Sequence, residues 1–329
     1  MRGAFLPNGR LVTKMLDRMP FAGLEVTSTG APAVAARGEA QRLAFRVAGT
    51  CFNLSSGGDV RLALEPGLAP FAVEPSANGV RIAVAWTDAL ALPTAAPLFH
   101  SGGLWSVFEE SGGYRFYFST PHLGVAPYKT AWFDREFTRG ELVLFHPYFD
   151  SQLPIYPLEY PLDELLMIHR LACREGVEVH AVGIVDEAGR GHLFLGHSGA
   201  GKSTTARLWK AQSNAQILSD DRIILRAREG RIWMYGTPWH GDAGIASSDC
   251  APLSRLYLLE HSHKTELSSV SRGRAAAELL ARSFVPHHSP NGLQFTLEFL
   301  DRVARETPCF IFRFVPDRSA VEAIRRAVA

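Results

Sequence analysis

Gly196-His197-Ser198-Gly199-Ala200-Gly201-Lys202-Ser203-Thr204 fits the pattern G-x-x-x-x-G-K-[ST], with Gly196, Gly201, Lys202 and Ser203 at its specified positions. Glycines at this spacing let successive backbone N–H groups turn inward around phosphates, the lysine reaches the β/γ oxygens, and the serine hydroxyl can ligate Mg²⁺. On this reading the whole run from Gly196 to Thr204 binds the nucleotide, and the cofactors expected are ATP and Mg²⁺. The flanks agree: Gly191-His192-Leu193-Phe194-Leu195 reads as a short strand entering the loop and Ser203 to Trp209 as the helix leaving it. A helix N-terminus would then face the anion. The competing reading is a Gly/Ser-rich turn that fits by accident, against which the strand-loop-helix context argues.

Beyond the helix, Ala215-Gln216-Ile217-Leu218-Ser219-Asp220-Asp221 reads as an apolar strand ending in two adjacent carboxylates, and Arg222 to Leu225 as its continuation. The interval from Lys202 holds one helix, a turn and a short strand, enough to bring the acids back beside the phosphates. One carboxylate can hold Mg²⁺ while its neighbour accepts a proton from an attacking hydroxyl. Alternatively Asp221 is a solvated turn residue and only Asp220 matters.

The combination of GHSGAGKS with a nearby SDD resembles the HPr kinase/phosphorylase and ATP-dependent phosphoenolpyruvate carboxykinase superfamily. The resemblance covers roughly residues 165 to 260. It implies an α/β, phosphate-loop nucleotide-binding C-terminal domain that transfers phosphate to a hydroxyl, with serine of a protein or peptide as the acceptor. It implies catalytic roles for Asp221 as base, for His180 on the strand before the loop, and for Lys202 on the β/γ-phosphates. Ser203 and Asp220 would take the metal side. The family's downstream signature, which supplies a further metal-side Glu, is absent. Tyr235-Gly236-Thr237-Pro238-Trp239-His240-Gly241-Asp242 stands in its place. There Asp242 can replace the missing acid as a metal ligand and His240 can touch phosphate or substrate, or else Trp239 packs and Asp242 caps the next element. His180 could equally be a packed strand residue. A small-molecule acceptor such as free serine and a non-catalytic ATP-binding sensor remain alternatives. HPr kinases form hexamers, so the resemblance allows a homo-oligomer.

Lys and Arg total 34 against 33 Asp and Glu, a near-zero balance that gives no electrostatic reason to expect nucleic acid or an anionic membrane as partner. No apolar stretch approaches the roughly 20 residues a membrane helix needs, and Cys51, Cys173, Cys250 and Cys309 are too dispersed for a metal knuckle. A reduced, cytoplasmic setting is the expectation.

Three segments are expected along the chain: an irregular lead-in over 1–40, a β-rich domain over 41–153 available for substrate recognition, and the nucleotide-binding domain over 154–329. The β-rich half is read from Arg42–Val47, Val60–Leu64, Val80–Trp86, Tyr114–Phe118, Lys129–Phe133 and Glu141–Phe145. Its aromatic residues read as core and sheet face. Closely spaced prolines from Pro154 to Pro161 mark the boundary, and Leu162 to Ala172 reads as a helix with one buried face. Strands at Arg231–Tyr235, Leu253–Leu259 and Cys309–Val315, and helices at Gly273–Phe284, Leu293–Arg305 and Arg318–Val328, complete an alternating pattern. His261, His263, His287 and His288 read as solvated loop residues and His169 as an accommodated helix residue.

Overall fold

The computed structural model describes residues 39–93, 95–120 and 126–328. The expected lead-in falls almost wholly outside these residues. Two large sheets dominate. The first runs β1 (Gln41–Val47), β2 (Thr50–Ser56), β3 (Val80–Thr87), β4 (Phe99–His100), β5 (Trp105–Glu110), β6 (Gly113–Ser119), β7 (Pro127–Asp134) and β8 (Arg139–Phe145), in the spatial order β1-β2-β3-β8-β7-β6-β5-β4. Phe45, Phe52, Phe116, Phe118 and Phe133 alternate onto its buried face, as period-2 patterning requires.

Val60–Leu64 is not a strand. Only Leu62 bridges, to Ile155, because the chain turns back on itself where Ser56 Oγ donates to the Val60 carbonyl at 2.7 Å. The Pro154–Pro161 segment is packed, with Tyr156 and Leu158 buried in the first core. Helix α1 (Leu162–Ala172) lies against that core through Leu162, Leu166, Met167 and Leu171. It is buried nearly all round, including Asp163, Glu164 and His169, so the expected single apolar face understates its burial. His169 sits between Phe116 and Phe137.

The second sheet contains β9 (Val177–Val185), β10 (Gly191–Leu195), β11 (Gln216–Ser219), β12 (Arg222–Arg228), β13 (Arg231–Tyr235), β14 (Cys250–His261), β15 (Glu266–Ser269), β16 (Ser283–Phe284) and β17 (Cys309–Phe314). Strands β10, β14 and β17 are parallel neighbours, while β9 pairs antiparallel with β10 on one edge and with β11 and β12 on the other. Helices cover both faces. Helix α2 (Lys202–Gln212) and α5 (Arg318–Val328) close over Phe194, Trp209, Tyr257 and Phe312. Helices α3 (Arg272–Leu280) and α4 (Pro290–Glu306) close over Leu193, Leu256, Leu279 and Leu300. This α/β layering puts the β10–α2 connection at the carboxyl end of a strand, where open α/β sheets form their clefts. Among the described residues no helix is long and apolar enough to cross a membrane, and the four cysteines are free thiols.

Candidate active site

The loop from Gly196 to Gly201 leaves the end of β10 and enters α2 at Lys202. Its glycines are demanded by space and by conformation. A Cβ on Gly196 would stand 2.6 Å from the Ala200 Cβ, and one on Gly201 would stand 2.7 Å from the Phe314 ring, where φ is +100°. Left-handed backbone of this kind is the province of glycine. His197, Ser198 and Gly199 form an exposed tip, while Ala200 is buried beneath them. Gly201 caps the helix without a side chain, so the first amides of α2 and the loop are not consumed by a capping oxygen.

Lys202 is buried, and its ammonium donates to the Gly196 carbonyl at 2.9 Å and the His197 carbonyl at 3.2 Å. Burial lowers its pKa, the Asp221 carboxylate opposes that, and Arg282 and Arg222 reinforce it. Ser203 and Thr204 follow in the first turn, both half-buried.

Asp220 and Asp221 separate sharply in role. Asp220 is buried, and its carboxylate accepts from the backbone N–H groups of Gly241 at 3.1 Å, Ala243 at 2.8 Å and Ile245 at 3.3 Å. It thereby ties down the 241–245 loop, an occupation the sequence did not announce. Gly241 is required there, since its Cβ would approach Asp220 Oδ2 to 3.0 Å and the Asp221 Cβ to 3.2 Å. Asp242, on the same loop, is exposed, and His240 turns its Nδ1 onto the Gly241 carbonyl. Trp239 packs inward and donates Nε1–H to buried Asp163 at 3.1 Å.

Asp221 is the more open of the two acids, with 25% of its side-chain surface accessible. His180 Nε2 stands 2.7 Å from Asp221 Oδ1, and since a carboxylate only accepts, the ring nitrogen donates. Arg222 Nη1 contacts the other oxygen. Burial pushes the Asp221 pKa up, but the His180 hydrogen bond, the Arg222 guanidinium, the His180 charge and the Lys202 ammonium together outweigh it, and the net shift is downward. The group is therefore a carboxylate at neutral pH. Strand register makes the meeting possible, because Arg222 of β12 pairs with His180 of β9, and the Ala181 N–H donates to the Asp221 carbonyl at 3.0 Å.

Several residues around this pair were not read from the sequence. Arg222 Nε donates to Glu164 Oε1 at 2.6 Å, stands 3.5 Å from Glu178 Oε1, and its guanidinium lies 4.3 Å from the Phe284 ring centre. The Arg282 carbonyl accepts from the His180 N–H at 2.7 Å, while its guanidinium is ion-paired with Glu278 and still adds positive charge felt by Lys202. His261 Nε2 donates to the Gly199 carbonyl at 2.7 Å, so it steadies the loop tip instead of standing free in solvent. His288 also differs from expectation: it is half-buried, 3.3 Å from His169 Nε2, among aromatic rings. Only the return of β14 beside β10, and of the 286–289 turn beside α1, creates these contacts.

Among the described residues no group of three or more His, Cys, Asp or Glu side chains converges as a metal cage. A Mg²⁺ ion shared with phosphates needs none, since one or two carboxylates suffice. Oxygen donors are present in the Ser203 hydroxyl at the start of α2 and in the lone-pair capacity Asp220 retains after three amide bonds, while Asp242 is exposed on the 241–245 loop. They suit a hard cation.

No protein-family model matches the chain, and no curated protein matches it. Among solved structures it is similar to the HPr(Ser) kinase/phosphatase from Coxiella burnetii, at 13% identity over 46% of this chain and 95% of that one, with a TM-score of 0.27. The likeness is distant and carries nothing further about function.

Proposed function

We propose that this protein transfers the γ-phosphoryl group of ATP to a hydroxyl, with serine of a protein or peptide as the acceptor. The observation that carries this reading is the placement of the His180–Asp221 pair beside Lys202 and the glycine loop. A nucleotide binder alone has no use for an ionised carboxylate that a histidine orients.

The loop amides and Lys202 would hold the triphosphate, and Ser203 with Asp220 and Asp242 would hold Mg²⁺, which supplies neutralisation of phosphate charge when bound. Asp221 accepts the acceptor hydroxyl's proton as its oxygen bonds to the γ-phosphorus. The bond from that phosphorus to the β–γ bridging oxygen breaks, and ADP leaves with the electron pair. His180 fixes the rotamer of Asp221, so the base meets the proton without reorganisation. Lys202 puts positive charge where phosphoryl transfer needs it.

The test is incubation of the purified protein with γ-labelled ATP, Mg²⁺ and size-fractionated extract of its source cells, with Asp221→Asn as control. Asp221-dependent label in a protein or peptide fraction is the expected result. Label confined to small molecules would move the acceptor to a metabolite such as free serine. Bound ATP with no Asp221-dependent transfer in any fraction would make the protein a nucleotide sensor and overturn the reading.

A further inference from the structure

A cavity of about 440 Å³ opens at the seam between the two sheets, lined by Arg46, Thr50, Asn78, Thr138, Arg170 and Arg226, among others. It lies away from the glycine loop. Arg226 sits four residues beyond Arg222 on β12, about 13 Å at the rise of an extended strand. The volume is that of a small-molecule site.

Its charges do not balance. Glu175 is the one carboxylate in the lining, against three guanidinium groups. Two of the arginines have structural work. Arg226 donates through Nη2 to Glu175 Oε2 at 2.7 Å, through Nε to the Glu175 carbonyl at 3.1 Å, and through Nη1 to the Ala48 carbonyl and the Thr50 hydroxyl. Arg170 contacts Glu175 Oε1 and donates to the Glu136 carbonyl at 3.1 Å. Together they pin the β1–β2 turn and the end of α1 to β12. Arg46 does nothing comparable: it is exposed on β1 and has no carboxylate partner among the described residues. An unpaired arginine in the lining of a concave, polar space already carrying excess positive charge is an anion receptor in form, since the planar donors of a guanidinium match two oxygens at once.

We infer that this seam cavity binds a compact, doubly charged oxyanion, a phosphate or dicarboxylate group, at a site separate from the glycine loop. Arg46 supplies the new hydrogen bonds. Arg170 and Arg226 supply the field, and the Asn78 amide supplies a neutral donor at the rim, where the Thr138 hydroxyl is already committed to Asp134 at 2.6 Å.

Calorimetric titration with inorganic phosphate and, separately, malonate at constant ionic strength tests this on the full chain. Saturable binding of at least one probe is expected, within about twofold of wild type in Lys202→Ala and at least about tenfold weaker in Arg46→Ala, with partial recovery in Arg46→Lys. Stronger binding of phosphate or of malonate distinguishes the two sources. Arg46 is exposed, so its replacement leaves the core intact. Binding that disappears in Lys202→Ala yet is unchanged in Arg46→Ala would place the anion at the glycine loop and overturn the inference, as would absence of saturable binding of both probes.

Discussion

His180 Nε2 and Asp221 Oδ1 stand 2.7 Å apart across the β9–β12 pair. That contact is the strongest single influence holding the Asp221 carboxyl below its ordinary pKa against burial, which pushes the other way. A depressed carboxylate contributes stability that is present above its unfolded value of 3.8 and lost as pH falls through the lower folded value. The same sign governs activity if Asp221 must be ionised. His180→Ala removes the donor and leaves the burial penalty, so the acid limb of the kcat/KM profile is expected to move to higher pH, with a loss of about tenfold or more at pH 7. An acid limb that stays in place would separate His180 from Asp221 in function.

Gly201 makes a second, purely steric prediction. Alanine there must hold φ near +100° and meet the Phe314 ring at 2.7 Å. The conformational cost alone is about 1–2 kcal/mol, and the ring contact adds to it. Urea unfolding of Gly201→Ala, Phe314→Leu and the double variant should show a coupling that favours the pair, because the smaller side chain relieves the contact while the backbone strain remains. Strict additivity would mean that the ring does not constrain the loop.

The glycine loop and its flanking strand and helix were legible because their signals are local: apolar run, turn residues, helix former. The adjacent acids were legible too, and the resemblance gave them different roles, but the contacts that distinguish them were not legible. Asp220 and Asp221 look alike in sequence, and they differ only because the 241–245 amides return to one of them while His180 approaches the other. Strand β2 was missed for a similar reason. Asn53 breaks its apolar pattern, yet in the fold its amide spends both ends on Ser76, accepting from its N–H at 2.9 Å and donating to its carbonyl at 2.8 Å. His261 carries no local sign of its bond to Gly199, which depends on parallel pairing of strands far apart in the chain.

Asp220 offers a third test, this time of loop order. Asparagine keeps one carbonyl oxygen but turns an NH₂ group toward amides that are themselves donors, so at least one backbone N–H near Gly241–Ile245 loses its acceptor. An unsatisfied buried donor costs about 1–3 kcal/mol. Asp220→Asn should therefore lower the unfolding midpoint and speed hydrogen exchange at Gly241, Ala243 and Ile245, with the helix amides of α4 unaffected. Unchanged protection in the loop would show that its order has another source.

Glu178 presents the sharpest electrostatic question in the site. It is fully buried on β9, two residues before His180 on the same strand face, and neither of its oxygens receives a hydrogen-bond donor. Arg222 Nε, its nearest cation, is 3.5 Å away and already committed to Glu164 at 2.6 Å. Burial first, and then the neighbouring Glu164 carboxylate, raise the Glu178 pKa well above 4.5, with Arg222 only partly opposing them. Burial and the neighbouring carboxylate therefore favour the protonated form of Glu178. A raised carboxyl costs stability as pH climbs above its unfolded value toward its folded one. Glutamine copies the shape without a titratable proton, so Glu178→Gln should match wild type near pH 4 and exceed it in thermal midpoint at pH 8. Were Glu178 instead the ionised partner of Arg222, removing its charge would leave a buried cation short of a counter-ion and cost about 3–5 kcal/mol. A pH series of thermal denaturation on the two proteins therefore decides between a neutral acid and a salt bridge at Glu178.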